Sequence, residues 1–155
     1  MPPAGLVIRS ATRGDVPSIM ALFAADALGG HGDTDDPSAL PVYEAAFDRI
    51  AASPADTLYV AELDGEVVGS FQTMLIVLMT RRGRPDMTVE AVQTRDDMRG
   101  KGIGEAMMRF AAERAREAGA GRLQLTSNLA RIDAHRFYRR LGFVMSHAGF
   151  KLDLA

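Results

Sequence analysis

The sequence predicts a single α/β domain of the α+β kind, with its elements in the order βαα, βββ, αβ, αβ. Three observations carry this. Side-chain periodicity switches between helical and strand spacing along the chain, and Gly, Pro or Asp bounds the segments. Asp64 and Gly65 join two alternating runs, the dipeptide of a tight hairpin and so of antiparallel pairing. Finally, 155 residues with 47% hydrophobic side chains suffice for one core and fall short of two ordinary domains, so residues 1–155 form one unit.

The elements follow in order. "GLVIRS" is a short strand. "ATRGDVPSIMALFAADALGG" is a helix with Thr12 or Asp15 at its cap, Val16, Ile19, Met20 and Phe23 on one face, and a stop at Gly29 and Gly30. The acidic "HGDTDDP" separates it from a second helix in "SALPVYEAAFDRIAAS". "TLYVAELDGEVVGSFQTMLIVL" holds the hairpin, "RRGRP" the next turn, and "MTVEAVQT" a strand that runs into a glycine cluster. Gly102 to Ala118 is helical, with Ile103, Met107, Phe110, Ala111 and Ala118 on a common side and Gly119 as the stop. "RLQLT" alternates as a strand, "RIDAHRFYRRLG" is a helix ended by Gly142, and "GFKLDL" reads as the last strand.

Composition excludes several function classes. Eighteen basic against 20 acidic residues leave a formal charge of -2, so nothing global argues for nucleic acid or an anionic membrane. The absence of cysteine removes disulfides, thiolate catalysis and thiolate zinc sites. No stretch approaches a membrane span, and "MPPAGLVIRS" lacks the basic start and apolar block of a secretory signal, so a cytoplasmic protein is expected. His31, His135 and His147 show no ligand spacing, and no metal is expected; His135 reads as a solvated residue or one behind the site.

Gly100, Gly102 and Gly104 sit between a strand and a helix start, where free backbone N–H groups and the helix dipole favour an anion. A plain connecting turn is the alternative. The dinucleotide fingerprint G-x-G-x-x-G fails because the third glycine comes one residue early. A nucleotide P-loop fails because glycine, not Ser or Thr, follows Lys101.

Arg99, Gly102 and Gly104 do fit the R/Q-x-x-G-x-G/A signature, with "VEAVQT" before it and "DAHRFYRRLGF" after it. In these motifs and in its element order the chain resembles the GNAT superfamily of acetyl-coenzyme A dependent N-acetyltransferases. The resemblance implies a mixed, mostly antiparallel sheet of about six to seven strands flanked by about four helices and splayed at the cofactor strand. It implies acetyl-CoA as acyl donor. The pantetheine arm would lie against the backbone of Val92, Gln93 and Thr94, and the pyrophosphate on the N–H groups of Arg99, Gly100, Lys101, Gly102, Ile103, Gly104 and Glu105. Arg99 and Lys101 would add charge at the rim, while the Glu105 carboxylate points away. Met98 stands where the family often has an aromatic residue, and a methionine can fill the same apolar gap. Asn128 matches a position that bonds the pantetheine amides; a turn-forming asparagine is the rival reading.

Acetyl transfer to an amine needs a route for the amine's proton, donors for the developing oxyanion and an acid for the leaving sulfur. By resemblance Tyr138 is the acid, and it also lies against the cofactor; Ala134, Phe137, Tyr138 and Leu141 have core spacing, so a core tyrosine is the alternative. Glu90 is the candidate base, facing with Val92 and Thr94, with an exposed strand residue as the alternative and Asp86 as runner-up. The expected partner is a small-molecule amine, and the resemblance implies a homodimer. The acidic "HGDTDD" would suit a cationic amine if it is more than a solvated loop; Arg81, Arg82 and Arg84 would suit an anionic group. The last 22 residues before "DLA" also resemble the branch acting on aminoalkylphosphonates. A non-catalytic acyl-CoA sensor and a peptide or protein N-acetyltransferase are the other functions this fold would carry.

Overall fold

A computed structural model describes residues 1–26, 28 and 31–155. The expected stop at Gly29 and Gly30 lies outside the described residues. The elements are β1 (Val7–Ser10), α1 (Val16–Ala24), α2 (Leu40–Ala52), β2 (Asp56–Leu63), β3 (Glu66–Ile76), β4 (Asp86–Thr94), α3 (Ile103–Glu117), β5 (Arg122–Gln124) and α4 (Ile132–Arg140). Both cap candidates of the first helix are used, because a 3-10 turn over Arg13–Asp15 precedes α1. Asp15 reaches back to the Thr12 N–H at 2.7 Å and grips Arg9 through both oxygens at 2.7 and 2.9 Å, tying the helix start to the first strand.

The strands form one sheet in the order β1-β2-β3-β4-β5. Neighbours are antiparallel except β4 and β5, which run parallel because α3 carries the chain back over the sheet. At the hairpin, Asp64 and Gly65 have φ of 51° and 79°, the left-handed pair that a two-residue turn requires. Strand alternation sends Tyr59, Ala61, Phe71 and Val89 to one face, where Ile103, Met107 and Ala111 of α3 meet them. Phe71 and Met107 are fully buried, each adding about 1.5–3 kcal/mol. Val60 and Ser70 point to the other face, which α1 covers with Val16, Ile19, Met20 and Leu22. A side chain on Gly69 would come within 3.0 Å of Met107 Sδ, so this glycine lets α3 settle on β3.

Two features of the sheet shape a cleft. Pairing of β4 with β5 stops at Thr88 and Gln124, so the rest of β4 is hydrogen-bonded to β3 alone. Directly beyond, Ser70 faces Gln93 while Gln72 faces Glu90, which leaves Ala91 and Val92 opposite the single Phe71. This is a β-bulge, and its Ala91 is held at φ 52°.

Among the described residues the sheet has five strands, fewer than expected. "GFKLDL" is not a strand here: from Phe143 onward the chain runs without a turn, and Phe150, Leu152 and Leu154 are 93%, 85% and 88% exposed. A strand exists only by pairing, and an extended segment leading away from Gly142 does not return to the free edge of β5.

Candidate active site

After β4, a 3-10 turn over Asp96–Met98 leads into the glycine segment. Met98 is buried beneath it, filling the apolar gap in place of an aromatic ring. Gly100 and Gly102 have φ of 75° and 82°, a conformation that suits only glycine well, and Gly102 caps α3. Gly104 serves differently: a Cβ there would lie 3.1 Å from Phe137 Cζ, so its bareness lets α4 pack on the start of α3.

The consequence is a row of donors. Among the described residues, the N–H groups of Gly100, Lys101, Gly102, Ile103, Gly104 and Glu105 make no hydrogen bond within the chain. They sit at the positive end of a 15-residue helix, where an anion is stabilised. The Arg99 guanidinium is exposed at the rim, 2.9 Å from Asp96, and Lys101 Nζ lies 3.7 Å from Met98 Sδ. The Glu105 carboxylate turns outward to Arg109 at 2.6 Å and is held below its usual pKa by that bond, leaving only its backbone to the loop.

On α4, Ala134, His135 and Tyr138 form an inward stripe, and Arg131, the residue that caps the helix start, lies before it. The Tyr138 ring packs edge-on against Phe137 and Phe143, with centroids 5.1 and 5.6 Å away. Its hydroxyl has no hydrogen-bond partner among the described residues. Burial raises its pKa and the charge of Arg131 opposes the rise, so at neutral pH the phenol carries its proton and can donate it. His135 is buried, not solvated, and its Nε2 lies 2.9 Å from the Asn128 carbonyl. Asn128 itself closes a turn, its side-chain oxygen accepting from the Ala130 N–H at 2.9 Å.

Glu90 is exposed on β4, but the bulge changes its direction. Opposite Gln72, it shares a face with Gln93 and not with Val92 and Thr94, so it looks toward the α1 side. Asp86, the runner-up base, is ruled out by its surroundings: it is 1% exposed and its carboxylate is gripped by Arg81 and Arg122. It pins the β3–β4 turn to β5. Arg81 is thereby spent, and in the acidic loop Asp33 accepts from the Tyr43 hydroxyl while Asp36 caps a 3-10 turn through Ser38.

One cluster has no signal in the sequence. The Asp26 carboxylate, 9% exposed, accepts from Gln93 Nε2 at 2.9 Å and from Arg131 Nη2 at 2.7 Å. It joins the end of α1, the bulged part of β4 and the start of α4. The partners are 67 and 105 residues away along the chain, beyond any motif. A cavity of about 410 Å³ opens beside it, lined by Ala21, Ala25, Gln93, Thr94, Asp97 and Arg99 among others. Among the described residues, no group of three His, Cys, Asp or Glu side chains is placed to hold a metal ion, and no helix is long and apolar enough to cross a membrane.

A sequence model of the acetyltransferase (GNAT) family matches residues 17–143. The chain is 32% identical over 146 residues to the aminoalkylphosphonate N-acetyltransferase of Salmonella typhimurium, covering 92% of this chain and 88% of that one. It is also 32% identical to an L-methionine sulfoximine/L-methionine sulfone acetyltransferase of Pseudomonas aeruginosa, over 90% and 80% of the two chains. Among solved structures, a transcriptional regulator from Bacillus halodurans superposes with a TM-score of 0.92 at 36% identity, over 96% of this chain and 99% of that one.

Proposed function

The chain belongs to the GNAT family of acetyltransferases, and from that premise we propose that it transfers an acetyl group directly from acetyl-CoA to the primary amine of a small molecule. The observation that carries this reading is the row of six unbonded N–H groups from Gly100 to Glu105, lying at the end of a strand whose outer edge is also unpaired. A diphosphate fits the first and an extended amide-bearing arm fits the second. In this reading Val92, Gln93 and Thr94 bond the arm through their backbones, Asn128 adds its side-chain amide, and Arg99 and Lys101 supply charge beside the phosphates.

Acetyl-CoA supplies the activated acyl group. The incoming amine has a pKa around 10 by analogy with lysine and must lose a proton to react. Glu90 takes that proton, directly or through water, from the α1 side of the sheet. Tyr138 gives its proton to the departing thiolate, which its protonated, unbonded hydroxyl supports. The acceptor is drawn as a small molecule because both enzyme relatives are named for one, an aminoalkylphosphonate and an amino-acid sulfoximine or sulfone, each an amine that also bears an acid group.

A second reading, an acyl-CoA sensor without catalysis, is favoured only by the description of the Bacillus halodurans relative as a transcriptional regulator. A screen of small amines, polyamines, amino acids and aminophosphonates for acetyl-CoA dependent thiol release separates the two. Release with at least one acceptor is expected. Tight CoA binding with no release from any of them would favour the sensor.

A homodimer belongs to the same proposal. Phe150, Leu152 and Leu154 alternate along an exposed extended segment, and β5 keeps one free edge, so each copy offers what the other lacks. Sedimentation of the full chain should give a dimer; a monomer at all accessible concentrations would remove this part.

A further inference from the structure

Among the described residues, the partly buried Asp26–Arg131 pair is a charge cluster near Tyr138 whose hydrogen-bonding capacity is unfilled. Arg131 presents five N–H donors, and among the described residues only Nη2 is engaged, on Asp26 at 2.7 Å. The other nitrogens are not sealed in the interior, since none counts among the buried side-chain atoms lacking a partner. The guanidinium is therefore tethered on one edge and open on another. It stands at the N-cap of α4, seven residues before Tyr138 and close enough for its charge to act on that phenol. The same Asp26 oxygen, Oδ2, also accepts from Gln93, which shares its face of the sheet with Glu90. Asp26 and Gln93 thus link the guanidinium to the bulged part of β4 that carries Glu90, while its charge reaches the donor tyrosine.

We infer that Arg131 is a specificity-determining residue, binding the acid group of an acceptor that carries a carboxylate or phosphonate a short distance from its amine, and that Asp26 is the positioning residue that sets the guanidinium's plane. The inference rests on the acetyltransferase reading. A planar fork held by one carboxylate keeps an edge matched to a second planar or tetrahedral oxyanion, at little loss of side-chain freedom on binding. The acceptor's amine is then directed away from the guanidinium, toward Glu90 and Tyr138. An uncharged amine of the same length gains nothing from Arg131.

The test compares aminomethylphosphonate with ethylamine as acceptors, using thiol release from acetyl-CoA by the full chain and by Arg131→Met, Arg131→Lys and Asp26→Asn. Arg131→Met should raise KM for aminomethylphosphonate about 10- to 100-fold, the worth of a lost charge-assisted contact, and lower its kcat/KM at least about 10-fold more than that for ethylamine, which shares only the change in charge beside Tyr138. Arg131→Lys should restore part of the loss, and Asp26→Asn should produce a smaller loss of the same selectivity. Calorimetry should find CoA affinity unchanged in all three. Equal losses on both amines, including in Arg131→Lys, would make the cluster structural. A fall in CoA affinity would assign Arg131 to the cofactor. Either overturns the inference while leaving acetyl transfer intact, whereas absence of thiol release from every amine in the unaltered protein overturns both.

Discussion

Substituting alanine at Gly100 or Gly102 separates backbone strain from contact in the glycine segment. Both residues have positive φ, 75° and 82°, so each alanine costs about 1–2 kcal/mol of left-handed strain. A more restricted unfolded chain offsets about 0.4–1 kcal/mol of it. A Cβ on Gly100 meets nothing within 4 Å, so Gly100→Ala should cost no more than about 1.5 kcal/mol. On Gly102 it would lie 2.9 Å from the Met1 carbonyl oxygen and 3.1 Å from Pro2 N, so the first residues of the chain must shift as well. Gly102→Ala should therefore cost about 1–3 kcal/mol, lowering Tm by about 2–12 °C at this chain length, against no more than about 6 °C for Gly100→Ala. Differential scanning calorimetry measures both. Titration calorimetry with CoA completes the series: Gly102→Glu should abolish binding, since the added carboxylate stands at the start of the proposed phosphate row. Equal melting losses for the two alanines would refute the contact argument, and unaltered CoA affinity in Gly102→Glu would refute the phosphate loop.

Other outcomes follow from the same geometry. Glu90→Gln should lower the rate at neutral pH with partial recovery at higher pH, where more amine is already neutral; an unchanged pH–rate profile removes Glu90 as the base. Asp15→Asn should cost about 2–3 kcal/mol in denaturant unfolding, by weakening the Arg9 and Thr12 bonds. The Asp15 pKa is lowered in the folded state, chiefly by Arg9, so its contribution is present above the ordinary aspartate value of about 3.9 and disappears as pH falls through the lower folded value. Stability of the unaltered chain should thus fall on acidification through that window more steeply than that of Asp15→Asn, and parallel curves would sink the assignment.

What the sequence revealed and what it hid divide along the range of the signal. The hairpin at Asp64 and Gly65, the glycine loop and the stop at Gly142 depend on residues adjacent in the chain, and each is where it was expected. The direction of Glu90 was not legible, because one extra residue at Ala91 inverts the side-chain alternation and nothing in "MTVEAVQT" marks the bulge; only the pairing with β3 reveals it. "GFKLDL" has the alternation of a strand, but alternation specifies a face to bury and not an edge to pair with. Asp86 looked available as a base until its two arginine partners were in place. Asp26 and Arg131 were silent for the same reason, since a carboxylate after an alanine-rich helix becomes informative only when the fold delivers Gln93 and Arg131 to it.

The central claim is that the loop, the open strand and Tyr138 together carry out acetyl transfer, with the phenol as the acid. Its most direct test is the turnover number of Tyr138→Phe at saturating acetyl-CoA, with CoA affinity measured in parallel. Removing the hydroxyl leaves the ring's packing against Phe137 and Phe143 in place, so the fold and cofactor binding should survive. The account predicts a loss of at least about 100-fold in kcat with CoA affinity retained. An unchanged kcat would contradict it.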